Sequence, residues 1–274
     1  EMLGGRVRDK IRMYCHTGGS TPEEAAENAR KRVAQGFDAV KISPAAPIKH
    51  IDTMGFVDDF AEIFAATREA VGKHVDIAVD FHGRVHTGMA SRMIDAIEPY
   101  YPMFVEEPVL PENIEVMASI AAKTSVPIAT GERLFTRWGF RDVIEKQAVS
   151  VVQPDISHCG GILEGRKIAA MAEVYHMQLA PHNPLGPISL AACLNLDACT
   201  PNVLAQEHPG TPDHADLGEG ILKNPFKIEN GSIRIPEGPG LGIEVDEEAI
   251  QKLIYAGDWD TPKLFFEDGS MADW

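Results

Sequence analysis

The sequence predicts a closed, parallel α/β barrel, and three observations predict it. Eight short runs rich in β-branched and apolar residues recur along the chain up to about Glu207. A stretch with helical character separates each run from the next. Ionisable residues stand at the same end of seven of the eight runs. Strands alternating with helices of this length argue for βα units and a parallel sheet. Eight such units favour closure into a barrel over an open sheet. The competing doubly wound sheet would carry a phosphate-binding glycine loop after its first strand. Gly18-Gly19-Ser20 is a poor match to that loop.

The predicted strands are 11–15, 39–43, 76–81, 103–108, 127–132, 151–155, 178–182 and 203–207. Between the first two, Thr21, Pro22 and Glu24 supply an N-cap, an N1 proline and an N3 glutamate, and Gly36 ends the helix. Further helices are expected near 57–72, 88–98, 112–124, 138–147, 162–175 and 187–197. The strand spacing lengthens once, where SPAAPIKHIDTMG adds a loop between strands two and three. From Asn224 onward the chain turns Gly- and Pro-rich and reads as a hairpin-like excursion and one final helix. The expected organisation is a linker at 1–10, a barrel at 11–223 and a C-terminal segment at 224–274 packing on that barrel.

With 274 residues and 44% hydrophobic content the chain can build a full-sized core. Its formal charge of −16 excludes a phosphate-neutralising surface, so no nucleic-acid partner is expected. Cys15, Cys159, Cys193 and Cys199 form no CxxC pair and read as reduced, packed thiols. No apolar run approaches 18 residues, so no membrane span is expected. No signal peptide is visible, and a cytoplasmic location is the expectation. The chain opens on EMLGGRVRDK at Glu1 without a methionine, as the middle of a longer protein would.

Taken in order, the strands end in Cys15, Lys41, Asp80, Glu106, Glu132, Asp155, His182 and Glu207. In a barrel these ends open on one face, and that face carries the active site. Asp80, Glu106 and Glu132 follow one another at equal gaps of 26 residues, so they should occupy equivalent places on neighbouring strands. Three converging carboxylates repel one another unless a cation joins them. Mg²⁺ takes oxygen ligands and keeps about three of six positions for water or substrate. Salt bridges to Lys and Arg at the mouth are the competing reading, and three acids in a row favour the metal. Strand parity sends the neighbouring Glu107 away from the mouth.

The next ends differ in character. His182 beside Asp155 makes a dyad in which the carboxylate fixes the imidazole tautomer and raises its basicity. Glu207 is either a protonated donor to a developing oxyanion or a surface acid. His82 lies two residues beyond Asp80, and its parity should point it into the same mouth. One metal flanked by two imidazoles suits removal of a proton on one side of a substrate and delivery on another. Arg84 and His86 lie farther into that loop, as substrate contacts or helix caps.

These residues sit in stretches that carry a resemblance: MLGGRVRDK, GFDAVKIS, DFHGRVH, EPYYPMFVEEPVLPENIE, PIATGERLFTRWGF, VVQPDISHCGGILEGRKIAAMAE, APHNPLGPISLAACLNLD and DGSMADW. Together they resemble the mandelate-racemase branch of the enolase superfamily, and within it the sugar-acid dehydratases. The resemblance implies a modified TIM barrel of (β/α)7β type, with one Mg²⁺ per chain held by Asp80, Glu106 and Glu132. It implies abstraction of the proton α to a sugar-acid carboxylate through a metal-stabilised enediolate, with loss of the 3-hydroxyl to give a 2-keto-3-deoxy acid. His182 with Asp155 is then the general base, His82 the general acid, and Glu207 a hydrogen-bonding partner of the enediolate. The pattern is of galactonate type; gluconate or mannonate, or a non-catalytic barrel that binds metal and ligand only, are the alternatives. Homo-oligomers are common in this branch, and one is expected here. Racemases of the branch carry a KxK pair at strand two, whereas Lys41-Ile42-Ser43 lacks the second lysine, which favours one-base elimination. Members also carry an N-terminal α+β capping domain of roughly a hundred residues. The expectation is that this chain starts at the linker after that domain.

Overall fold

The computed structural model describes residues 2–45, 47–210, 215–253 and 264–272. Glu1 and the Asp273-Trp274 end of DGSMADW lie outside the described residues. Within them the order is β1 (Lys10–His16), α1 (Pro22–Ala34), β2 (Ala39–Ile42), α2 (Met54–Val71), β3 (Asp76–Asp80), α3 (Thr87–Ile97), β4 (Val105–Glu106) and α4 (Ile114–Ala121). It continues with β5 (Ile128–Thr130), α5 (Thr136–Glu145), β6 (Val151–Val152), α6 (Ile162–Val174), β7 (Gln178–Leu179), α7 (Pro187–Ala198) and β8 (Gln206–His208). This is the (β/α)7β order.

Strands β1 to β7 pair in sequence, each parallel to the next, and β8 returns to pair parallel with β1. Closure comes just before β8: Leu179 N–H donates to the Asn202 carbonyl at 2.7 Å, and Leu204 N–H to the Leu179 carbonyl at 2.8 Å. The loop-to-helix transitions follow local chemistry. Thr21 Oγ1 accepts from Glu24 N–H at 3.3 Å, Pro22 sets the first turn, and Glu24 accepts from Ser20 N–H at 2.8 Å. His86 caps α3, its Nδ1 accepting from Gly88 N–H at 3.4 Å, so it acts as a cap.

Side chains alternate across each strand. The outward set, including Val40, Ile42, Ile77, Val79, Val105, Ile128, Val152 and Leu179, packs against the helices as the main core. The inward set is Tyr14, Ala39, Ala78, Phe104, Ala129, Val151, Ala180 and Ala205. Five alanines leave space in the lumen, and the two rings fill it edge to face, with centroids 5.9 Å apart at 82°.

The C-terminal segment forms the expected hairpin, β9 (Ile228–Glu229) and β10 (Ser232–Arg234), which adds antiparallel to the first residues of β1. The final helix is present as α8 (Glu247–Ile250), running into a 3-10 turn over Gln251–Leu253, and residues 254–263 lie outside the described residues. All four cysteines are free and buried. No helix of the described residues is long and apolar enough to cross a membrane.

Candidate active site

Two residues beyond each of six lumen positions, the same strands present a second inward layer. Tyr14 leads to His16, Ala39 to Lys41, Ala78 to Asp80, Phe104 to Glu106, Ala180 to His182 and Ala205 to Glu207. The register makes these residues neighbours: His16 opposes Lys41, Asp80 opposes Glu106, and Tyr14 opposes Glu207. Glu132 and Asp155 reach the mouth from just past their strand ends. At Gly131 a Cβ would lie 2.5 Å from the backbone of Gln153, so only glycine lets β5 pass β6 closely before Glu132.

Asp80, Glu106 and Glu132 each offer an oxygen within 4.8 Å of the others. Lys41 Nζ, almost wholly buried, lies 2.9 Å from Glu106 Oε2, 3.4 Å from Asp80 Oδ2 and 2.5 Å from Glu207 Oε1. One ammonium among so many acids leaves excess negative charge. Burial and the nearby Asp80 push the Glu106 carboxyl well above its ordinary range. Its Oε1 is buried without a hydrogen-bond partner among the described residues. An all-oxygen set with an orphaned carboxylate oxygen fits a hard divalent cation such as Mg²⁺. Glu107, as parity predicts, turns away: its Oε2 accepts from Arg133 Nε at 2.8 Å. Burial and Glu132 raise its carboxyl to about 7 against the pull of Arg133.

Two imidazoles flank the cluster. His182 Nδ1 lies 2.9 Å from Asp155 Oδ2, and its Nε2 lies 3.0 Å from Glu132 Oε2. Asp155 is itself fixed, its Oδ1 accepting from the N–H groups of Ser157 at 2.8 Å and His158 at 3.1 Å. Burial opposes charge on His182, but the hydrogen bonds to Asp155 and Glu132 outweigh it and hold the ring at about 11. The same His182 contact outweighs burial at Glu132, whose carboxyl falls to about 2. On the other side, His82 Nε2 lies 3.1 Å from Asp80 Oδ2. Burial lowers its basicity, although Asp80 pulls the other way.

The structure brings all seven sequence-derived site residues to this mouth and corrects three details. His82 does not arrive by strand parity. β3 ends at Asp80, whose Oδ1 accepts from His82 N–H at 2.8 Å, and His82 sits in the left-handed region at φ 53°. This turn, strained for a non-glycine residue, aims the ring back at Asp80. Glu207 is neither a surface acid nor a protonated donor: it is fully buried, and despite that burial Lys41, His16 and His182 hold it well below the usual carboxylate range. It accepts from Asn183 N–H at 2.7 Å and lies 2.6 Å from His16 Nε2. Finally, Cys15 is not the mouth residue of β1. It faces outward into an apolar cluster with Ile11 and Met13, and His16 takes the inward place. Parity from Tyr14, the large residue before it, was the signal for His16.

Comparisons with known proteins agree with this architecture. The profile described as Enolase C-terminal domain-like matches residues 24–249. D-galactonate dehydratase from Ralstonia pickettii is 45% identical over 280 residues, spanning all of this chain and 73% of the relative. D-galactonate dehydratase from Pectobacterium atrosepticum is 42% identical with the same coverage. A crystal structure of a member of the enolase superfamily from Salmonella Typhimurium superposes with a TM-score of 0.85 at 35% identity, covering 92% of this chain and 69% of that one. The profile match, the closed barrel and these relatives together place the chain in the enolase C-terminal domain-like family of the enolase superfamily.

Proposed function

We propose that this chain is the catalytic barrel of a Mg²⁺-dependent sugar-acid dehydratase, with D-galactonate as substrate and a 2-keto-3-deoxy acid as product. The observation that carries the reading is the pair of imidazoles on opposite flanks of one carboxylate cluster, one at Glu132 and one at Asp80. The names of the relatives supply the reaction class and the substrate. In this reading residues 11–223 form the catalytic domain and 224–274 an appendage upon it.

Asp80, Glu106 and Glu132 would hold Mg²⁺, which when bound supplies positive charge to the acid group of the substrate. With Glu132 engaged by the metal, His182 would lose the contact that holds its Nε2 protonated and would take the proton from C2 through that nitrogen, with Asp155 fixing its Nδ1 tautomer. Lys41, held by Glu207 at the same end, adds positive charge where the acid group gains electron density. His82 gives a proton to the departing 3-hydroxyl, which leaves as water, and the resulting enol becomes the 2-keto group. The C2–H and C3–O bonds break and a C2–C3 double bond forms, so no redox partner is needed. Glu207 acts by position, keeping Lys41 in place.

The test is a panel of C5 and C6 aldonates incubated with the protein and Mg²⁺, read by 2-keto-3-deoxy product. Turnover of galactonate ahead of gluconate and mannonate is expected. Preference for another aldonate would reassign the substrate, and Mg²⁺ binding without any turnover would contradict a catalytic role.

A further inference from the structure

The third imidazole of the mouth has no part in the steps above. His16 ends β1, and its side chain is 37% exposed, against 21% for His82 and 13% for His182. Of these three rings it is the one most open to a ligand. Its backbone is fixed on both sides: Arg32 Nε donates to the His16 carbonyl at 3.1 Å, and Thr17 N–H donates to the Lys41 carbonyl at 2.9 Å. Nε2 lies 2.6 Å from Glu207 Oε1, whose carboxylate is closed in by Lys41 and Asn183. An ionised carboxylate can only accept, so Nε2 carries the hydrogen. In the neutral ring that tautomer leaves Nδ1 as an acceptor. Among the described residues Nδ1 meets no hydrogen-bonding partner. A bare acceptor beside a carboxylate does not suit another carboxylate. It suits a hydroxyl.

We infer that His16 is a substrate-binding residue that accepts, through Nδ1, a hydrogen bond from a hydroxyl of the sugar acid, and so takes part in selecting among polyhydroxy acids. The inference rests on the dehydratase reading of the same mouth. Glu207 is the anchor that fixes the ring, which makes His16–Glu207 a recognition pair beside the His182–Asp155 pair. A pre-oriented acceptor on a strand end discriminates hydroxyl stereochemistry better than one on a free loop.

The experiment compares the unaltered protein with His16→Phe and His16→Gln across the aldonate panel with Mg²⁺, measuring kcat and KM for each acid. His16→Phe removes the acceptor and should raise KM for the preferred aldonate about tenfold, change kcat less, and flatten the ranking of stereoisomers. His16→Gln keeps a side-chain oxygen acceptor and should restore most of KM and of the ranking. An unchanged KM and ranking in His16→Phe would overturn the inference. So would a fall in kcat alone in both variants, the pattern expected if His16 only kept Glu207 in place. If the unaltered protein turned over no aldonate, the dehydratase reading would fall, and the inference with it. Turnover by the unaltered protein that His16→Phe leaves unaltered would remove the inference alone.

Discussion

Two layers of side chains enter the barrel from the same strands, two residues apart, and they have opposite chemistry. The lower layer, around Ala39, Ala78, Ala129, Ala180 and Ala205, is apolar and closed by Tyr14 and Phe104. The upper layer holds His16, Lys41, Asp80, Glu106, His182 and Glu207, joined by Glu132 and Asp155. The lower layer is fully buried apart from a trace at Val151. The upper is nearly as buried at Lys41, Asp80, Glu106 and Glu207, yet charged, and only its imidazoles and Glu132 open to the mouth. Apolar burial stabilises the fold, while burial of like charges works against it. Stability and chemistry are therefore assigned to adjacent layers of one barrel, and changes in each should have opposite consequences.

Phe104→Ala is the strongest break in the lower layer. It empties half of the aromatic pair that fills the lumen and should destabilise the protein by about 3–5 kcal/mol. Denaturant titration measures this. The folded fraction should keep its Mg²⁺ affinity, and a loss below about 1 kcal/mol would mean that the lumen is not a packed core.

Glu106→Gln sharpens the contrast from the upper layer, with a smaller effect of the other sign. Glu106 is pushed toward its neutral form by burial and by Asp80, so a neutral amide should fit the metal-free protein as well as or better than the native side chain. Thermal melting without Mg²⁺ should show an unchanged or slightly raised Tm. The rise in Tm that Mg²⁺ gives the unaltered protein should disappear. A lowered Tm without Mg²⁺ would show that the Lys41–Glu106 ion pair outweighs the crowding of acids.

Much of this two-layer plan was readable from the chain, because strand periodicity and function coincide at the strand ends. The eight strands followed from apolar runs, and equal spacing brought Asp80, Glu106 and Glu132 together. What escaped depended on facts a run of letters does not carry. Cys15 and His16 are adjacent, and the choice between them needs the inward phase, which Tyr14 sets by packing on Phe104. Glu207 looked like a donor or a surface acid because nothing local announces that Lys41, from strand β2, reaches it. The route of His82 into the mouth needed the left-handed turn capped by Asp80, which parity counting does not foresee. Strand lengths were overestimated from β2 through β8, most of all at β4, β5, β6 and β7.

The central claim is that the two flanking imidazoles divide one reaction, His182 removing the α-proton and His82 expelling the 3-hydroxyl. Exchange of the galactonate C2 proton with solvent deuterium, followed by NMR in His182→Asn and in His82→Asn with Mg²⁺ present, tests it most directly. The account predicts that His182→Asn abolishes exchange, a loss on the order of 10²–10⁴-fold or more. It predicts that His82→Asn stops formation of the keto product while exchange at C2 continues. Exchange that persists in His182→Asn would contradict the assignment of the base and, with it, the division of labour across the mouth.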